Sequence, residues 1–174
     1  MALLHEGTLF LGTEVTLTEF EMRMLGFVGR VRYANVVEHN RVGRGPSARD
    51  PTPDYHIRGA RCEFAASLML NRYWRPHVGE LHKPDVGGCV EVRSTVLKAP
   101  KGRLIVRPDA GEYPFMLIEP QGERFTFRGW MMASDAKLWK LETHHNDTVH
   151  YVDADALHGL RLLRKHLAEE ETHE

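Results

Sequence analysis

The stretch Asp85-Val86-Gly87-Gly88-Cys89-Val90-Glu91-Val92-Arg93 constrains this chain more than any other. Its second half, Cys89-Val90-Glu91-Val92, is an apolar run that reads as a buried strand with one carboxylate set inside it. A buried carboxylate is costly unless something pairs with it. Side chains alternate along a strand, so Glu91 and Arg93 share one face while Val90 and Val92 share the other. Gly87-Gly88 is a turn signal, and a bend there folds Asp85 back toward Glu91. Two convergent carboxylates beside a cation suit one hard divalent ion and a phosphodiester.

Asp85 followed by Glu91-Val92-Arg93 resembles the D…(D/E)-x-K signature of the PD-(D/E)XK nuclease superfamily. Upstream, Gly59-Ala60-Arg61-Cys62-Glu63-Phe64-Ala65-Ala66 is similar to that superfamily's first core helix, and Glu63 matches the acid this helix often carries. Downstream, Gly102-Arg103-Leu104-Ile105-Val106, Phe115-Met116-Leu117-Ile118 and Phe125-Thr126-Phe127-Arg128-Gly129-Trp130 are similar to the remaining core strands. The resemblance spans roughly residues 57–140, and this part of the chain is similar to the compact members found in bacteriophage genomes. It implies an α/β fold: a restriction-endonuclease-like core with a mixed central sheet flanked by helices, extended by N- and C-terminal helices. It also implies hydrolysis of DNA phosphodiesters with Mg²⁺ or Mn²⁺ held by Asp85 and Glu91. Glu63 would hold a second ion or a water, and the cation after the strand acid would stabilise the phosphate.

The superfamily's Lys is Arg93 here. A guanidinium stays protonated, so it can clamp phosphate in bidentate fashion but cannot act as a general base. Lys98, Lys101 and Arg103 are candidates for a displaced cation. The same departure supports a rival reading, a non-catalytic nuclease-fold protein that binds nucleic acid or a protein partner. A third is a small structural phage protein without phosphate chemistry.

A chain of 174 residues, 42% hydrophobic and 27% charged, is within one-domain range. Its expected organisation is a helical extension and loop over 1–56, the core over 57–140, and a loop and helix over 141–174. There is no apolar run of about 18 residues, so no membrane span is expected. Met1-Ala2-Leu3-Leu4-His5-Glu6 lacks the features of a signal peptide, so a cytoplasmic protein is expected, with Cys62 and Cys89 as reduced thiols. Net charge is −1, yet Arg30, Arg32, Arg41, Arg44, Arg49, Arg58, Arg61, Arg72 and Arg75 crowd the first half. A basic half binds phosphate even when the total is neutral.

Residues 8–17 read as a short strand. Thr18-Glu19-Phe20-Glu21 has the capping-box pattern, and Phe20, Met24, Phe27, Val28, Val31, Ala34 and Val37 recur at helical spacing to about Asn40. That helix is expected against the core or a partner subunit, which would make a homo-oligomer. Residues 41–55 read as a loop, 58–74 as the core helix ended by Pro76, and 86–130 as three or four strands. Ser134 or Asp135 is expected to cap a short helix reaching Trp139. Asp153 or Asp155 is expected to cap the last helix, carrying Leu157, Leu160, Leu163 and Leu167.

Rival chemistry is weakly supported. Gly43, Arg44 and Gly45 can wrap a phosphate, but no Lys-Ser/Thr follows as a P-loop needs. His144-His145-Asn146-Asp147 with His150 is the densest group among 11 His, without the spacing of a structural zinc site. Cys89 in an apolar strand suits an inert thiol. There is no Gly-x-Ser-x-Gly elbow for a serine hydrolase.

Overall fold

The computed structural model describes residues 13–39, 52–78, 83–98, 101–144 and 147–172. The elements in chain order are β1 (Glu14–Thr16), α1 (Glu19–Glu38), α2 (Pro53–Leu70), β2 (Glu91–Ser94), β3 (Arg103–Val106), β4 (Pro114–Gln121), β5 (Arg124–Met132), α3 (Ala133–Ala136), β6 (Leu141–His144), β7 (Asp147–Asp153) and α4 (Leu160–Glu171). The fold is α/β with a mixed sheet.

α1 starts where the sequence places it, on a reciprocal cap. The Glu21 amide donates to Thr18 Oγ1 at 3.3 Å, and the Thr18 amide donates to Glu21 Oε2 at 2.7 Å. Gly29 is the close-approach point of the α1–α2 pair. A Cβ there would stand 2.4 Å from Ile57 Cα, so only glycine admits this packing. On the outer side Phe20 and Phe27 remain exposed.

α2 begins five residues earlier than expected, with Pro53 in its first turn, where a missing amide costs nothing. It also ends earlier. Asn71 adopts the left-handed conformation with φ 52°, and its amide reaches back to Leu68 O, so the helix stops well before Pro76. Most of the expected loop at 41–55, with Arg41, Arg44 and Arg49, lies outside the described residues, as do residues 8–12 of the expected first strand.

Among the described residues the strands form two sheets. The first has the order β1-β5-β4-β2, with β2 parallel to β4 and the other pairs antiparallel. The second has the order β3-β7-β6 and is antiparallel. The expectation that 102–106 continues the main sheet is therefore corrected: β3 pairs with β7. The expectation of a loop at 141–150 is corrected as well, since β6 and β7 form a hairpin there. Val149 and Val152 of β7 are buried, which the neighbouring histidines obscured. α3 stops at Ala136, short of Trp139, and α4 starts after Gly159 rather than at an aspartate cap.

Strand alternation divides the core. Val92, Met116, Ile118, Phe125 and Phe127 point to the side of α1, α2 and α4, where Leu25, Ala66, Met69, Leu163 and Leu167 meet them. Phe115, Leu117 and Met131 point to the other side and pack on Leu104, Val106 and Val152 of the second sheet. Helices therefore cover one face of the mixed sheet, as the expected flanking helices do, and a second sheet, which was not expected, covers the other. Each fully buried large side chain contributes about 1.5–3 kcal/mol. No helix among the described residues is long and apolar enough to cross a membrane.

Candidate active site

Among the described residues β2 is the last strand of its sheet, so one edge of it has no described strand beside it. An open edge presents unpaired backbone groups. Asp85 covers one of them: its Oδ2 accepts the Val92 amide hydrogen at 2.8 Å. The turn that makes this possible carries Gly87 and Gly88 at φ 59° and 71°, conformations that L side chains resist. Val86 and Val90 bridge across it, and the chain reverses as expected.

Glu91 and Arg93 alternate with Val92 and so project from the face lined by Phe115 and Leu117. Arg93 Nη1 donates to Glu91 Oε1 at 2.5 Å, and its guanidinium lies 5.2 Å from the Phe115 ring centroid. Tyr113, just before the strand that carries Phe115, stacks on that ring at 5.9 Å. Its phenol is pushed above its usual pKa by burial and then by the Glu91 carboxylate.

Glu63 approaches from the helix side. It is buried and doubly bound by Arg32 of α1, with Nη1 to Oε1 at 2.6 Å and Nη2 to Oε2 at 2.7 Å. The Trp74 indole donates to Oε2 at 3.0 Å, and Arg32 Nε donates to the His77 carbonyl at 2.8 Å. Burial works to lower the Arg32 pKa, but the hydrogen bonds and charge of Glu63 outweigh it and raise it. His56, beside Arg32, has its pKa lowered by burial and by that positive charge.

Asp85 sits between these two groups. Its pKa is well above the ordinary carboxyl value because of burial first, then the charges of Glu63 and Glu91. The Val92 hydrogen bond and Arg93 oppose the shift without cancelling it. The structure thus brings Glu63, Asp85, Glu91 and Arg93 into one neighbourhood. Asp85 Oδ1 and Glu91 Oε2 make no hydrogen bond among the described residues, which leaves one oxygen on each acid open. Carboxylate oxygens are the ligand type that a hard divalent ion takes. Among the described residues, no group of three or more His, Cys, Asp or Glu side chains is arranged to enclose a metal ion.

The other candidate cations lie elsewhere. Arg103 is on β3, 4.0 Å from the Tyr151 ring centroid and 3.8 Å from Glu142. Lys98 and Lys101 are exposed in the connection before it. His150 is buried and bonds through Nδ1 to the Trp139 carbonyl at 2.8 Å. The His144 side chain, His145 and Asn146 lie outside the described residues. Cys62 and Cys89 are free thiols, with Cys62 pushed up to about 12 by burial.

Trp74 and Tyr113 stand out in no sequence pattern, and Arg32 stands there only among the first-half arginines, not as the partner of Glu63. A signal existed for Arg32: it stands seven residues after Leu25 and four after Val28, on the inward side of α1, where a cation demands an acid. Tyr113 carries no comparable signal. No family model matches this chain, and no curated protein or solved structure is significantly similar to it.

Proposed function

We propose that this protein is a metal-dependent nuclease that hydrolyses DNA phosphodiester bonds from a restriction-endonuclease-like core. One observation carries the reading: a helix acid, a turn acid and a strand acid lie close enough to feel one another, and burial, then the charges of Glu63 and Glu91, raise the Asp85 pKa. Perturbed acids gathered with cations are typical of functional sites. Asp85 Oδ1 and Glu91 Oε2 would hold the ion. A bound Mg²⁺ or Mn²⁺ supplies an activated water and neutralises charge on the phosphate. Arg93 stands beside Glu91 and would clamp a phosphate oxygen, a role that needs charge and donors but no proton transfer. Glu63 is held by three donors, so its role is to set the field at Asp85, and Arg32 fixes its orientation.

The Arg93–Glu91 pair favours a second reading, in which the acid is neutralised internally and the protein binds nucleic acid or a protein partner without cleaving. Incubating labelled DNA with Mg²⁺, Mn²⁺ or EDTA separates the two. The proposal expects cleavage with metal, none with EDTA, and loss of at least a hundredfold in the Asp85→Asn protein, in keeping with about 10²–10³ for one electrostatic contact. Binding without cleavage under every metal condition would favour the second reading.

A further inference from the structure

Three arginines on the helix pair stand outside the site just described. The guanidinium Nη2 atoms of Arg30 and Arg61 lie 3.7 and 3.8 Å from where a Cβ on Gly26 would stand, so two like charges share one small space. Arg61 Nη2 reaches only the Met22 carbonyl, at 3.2 Å. Arg58, one turn before Arg61 on α2, lies over the Tyr55 ring at 5.4 Å. Among the described residues none of the three makes an ion pair with a carboxylate, and Asp54 in the same turn of α2 pairs with none of them. The Nε atoms of Arg58 and Arg61 are buried without a hydrogen-bond partner. Gathered guanidiniums without acid partners match the chemistry of a polyanion.

A ladder of rings runs from this cluster to the acids. Tyr55, 47% exposed, meets His56 edge-on at 5.8 Å, and His56 meets Tyr33 at 6.1 Å. His56 is close enough to Arg32 to feel its charge, and Arg32 holds Glu63. The order is therefore free arginines, aromatic rings, then carboxylates. Unpaired bases stack on exposed rings while arginines track the backbone, whereas the bases of a duplex are already stacked on one another.

We infer that the substrate is a single-stranded nucleic acid lying across the N-terminal end of α2, with phosphates on Arg30, Arg58 and Arg61 and bases on Tyr55 and His56. This rests on the nuclease reading for the strand's destination at Asp85, but the binding itself does not require hydrolysis. The test is fluorescence anisotropy in EDTA with a labelled 20-nucleotide oligothymidylate and a duplex of the same length. The wild type should bind the single strand at least tenfold more tightly than the duplex. Tyr55→Ala should weaken single-strand binding about tenfold, in line with about 1–3 kcal/mol per stacked base.

The Arg30→Gln/Arg58→Gln/Arg61→Gln protein should reduce the slope of log affinity against log salt by about 2, from about 0.7 per phosphate contact. Arg30→Gln alone, at an exposed position, should take about a third of that slope and keeps the test valid if the triple variant does not fold. Equal binding of strand and duplex, or an unchanged salt slope in the arginine variants, overturns the inference. Binding that follows these expectations without cleavage in Mn²⁺ would remove the nuclease reading and leave this one standing. Cleavage with unchanged affinity in the variants would do the reverse.

Discussion

Glu63, buried, and Asp85, partly buried, are neighbouring carboxylates with opposite surroundings. On the helix side, Glu63 has both oxygens taken by one guanidinium and a third donor from Trp74. On the strand edge, Asp85 has one backbone amide, and burial and its acidic neighbours push its pKa up. The first arrangement ties two helices and a loop together. The second leaves an acid whose charged form is held at a cost and which gains from any cation that reaches it. The difference makes Glu63 an anchor of the helix pair and leaves Asp85 the acid with fewer partners, the one the proposed chemistry needs.

The largest expected effect breaks the helix side. Glu63→Ala leaves the buried Arg32 unpaired and should destabilise the fold by about 3–5 kcal/mol, measured by urea unfolding at neutral pH. A loss under about 1 kcal/mol would mean that Arg32 finds solvent, and that Glu63 is not the anchor described. Next comes the spacing that lets Arg32 reach Glu63. Gly29→Ala places a methyl against Ile57 backbone and should cost about 1–3 kcal/mol, with the near-ultraviolet signal of Trp74 altered. An unchanged signal and stability would show that the helix pair adapts freely.

Arg93→Ala removes a partly buried pair and should change stability by about 1 kcal/mol while abolishing the proposed cleavage. Arg93→Lys should retain activity, since both side chains carry the charge. Turnover by the alanine protein would remove Arg93 from the mechanism.

The smallest effect is a pH trend on the strand edge. The folded pKa of Asp85 is raised above its unfolded value, so folded protein holds the proton more tightly. That stability is fully present below about pH 4 and is lost as pH rises through the folded pKa. Asp85→Asn should remove this decline and equal or exceed the wild type at neutral pH without metal. Parallel pH–stability curves for the two proteins would contradict the assigned cause.

How much of this was legible in the sequence follows the range of the interactions. The turn at Gly87-Gly88, the α1 cap and the shared face of Glu91 and Arg93 are local rules acting within a few residues, and all can be read directly. The bounds of α2 depended on Asn71, whose left-handed conformation outranks the more conspicuous Pro76. The departure of β3 to a second sheet depended on its pairing with β7, some fifty residues away, which no local pattern announces. Glu91 is legible because a charge inside an apolar run is itself a signal, Asp85 because it precedes the Gly87-Gly88 turn, and Glu63 only through the resemblance. Their partners Arg32, Trp74 and Tyr113 are joined to them only by the fold.

The central claim is that Asp85 and Glu91 form a cation site at the open edge of β2. Thermal melts of the wild type and the Asp85→Asn protein, in EDTA and across millimolar Mn²⁺, test it most directly. A metal that binds only the folded form should add about 2.7 kcal/mol at a hundredfold excess over Kd, raising the wild-type Tm and leaving the Asn variant unmoved. A wild-type melt that does not respond to Mn²⁺, or an equal response from both proteins, would contradict the claim.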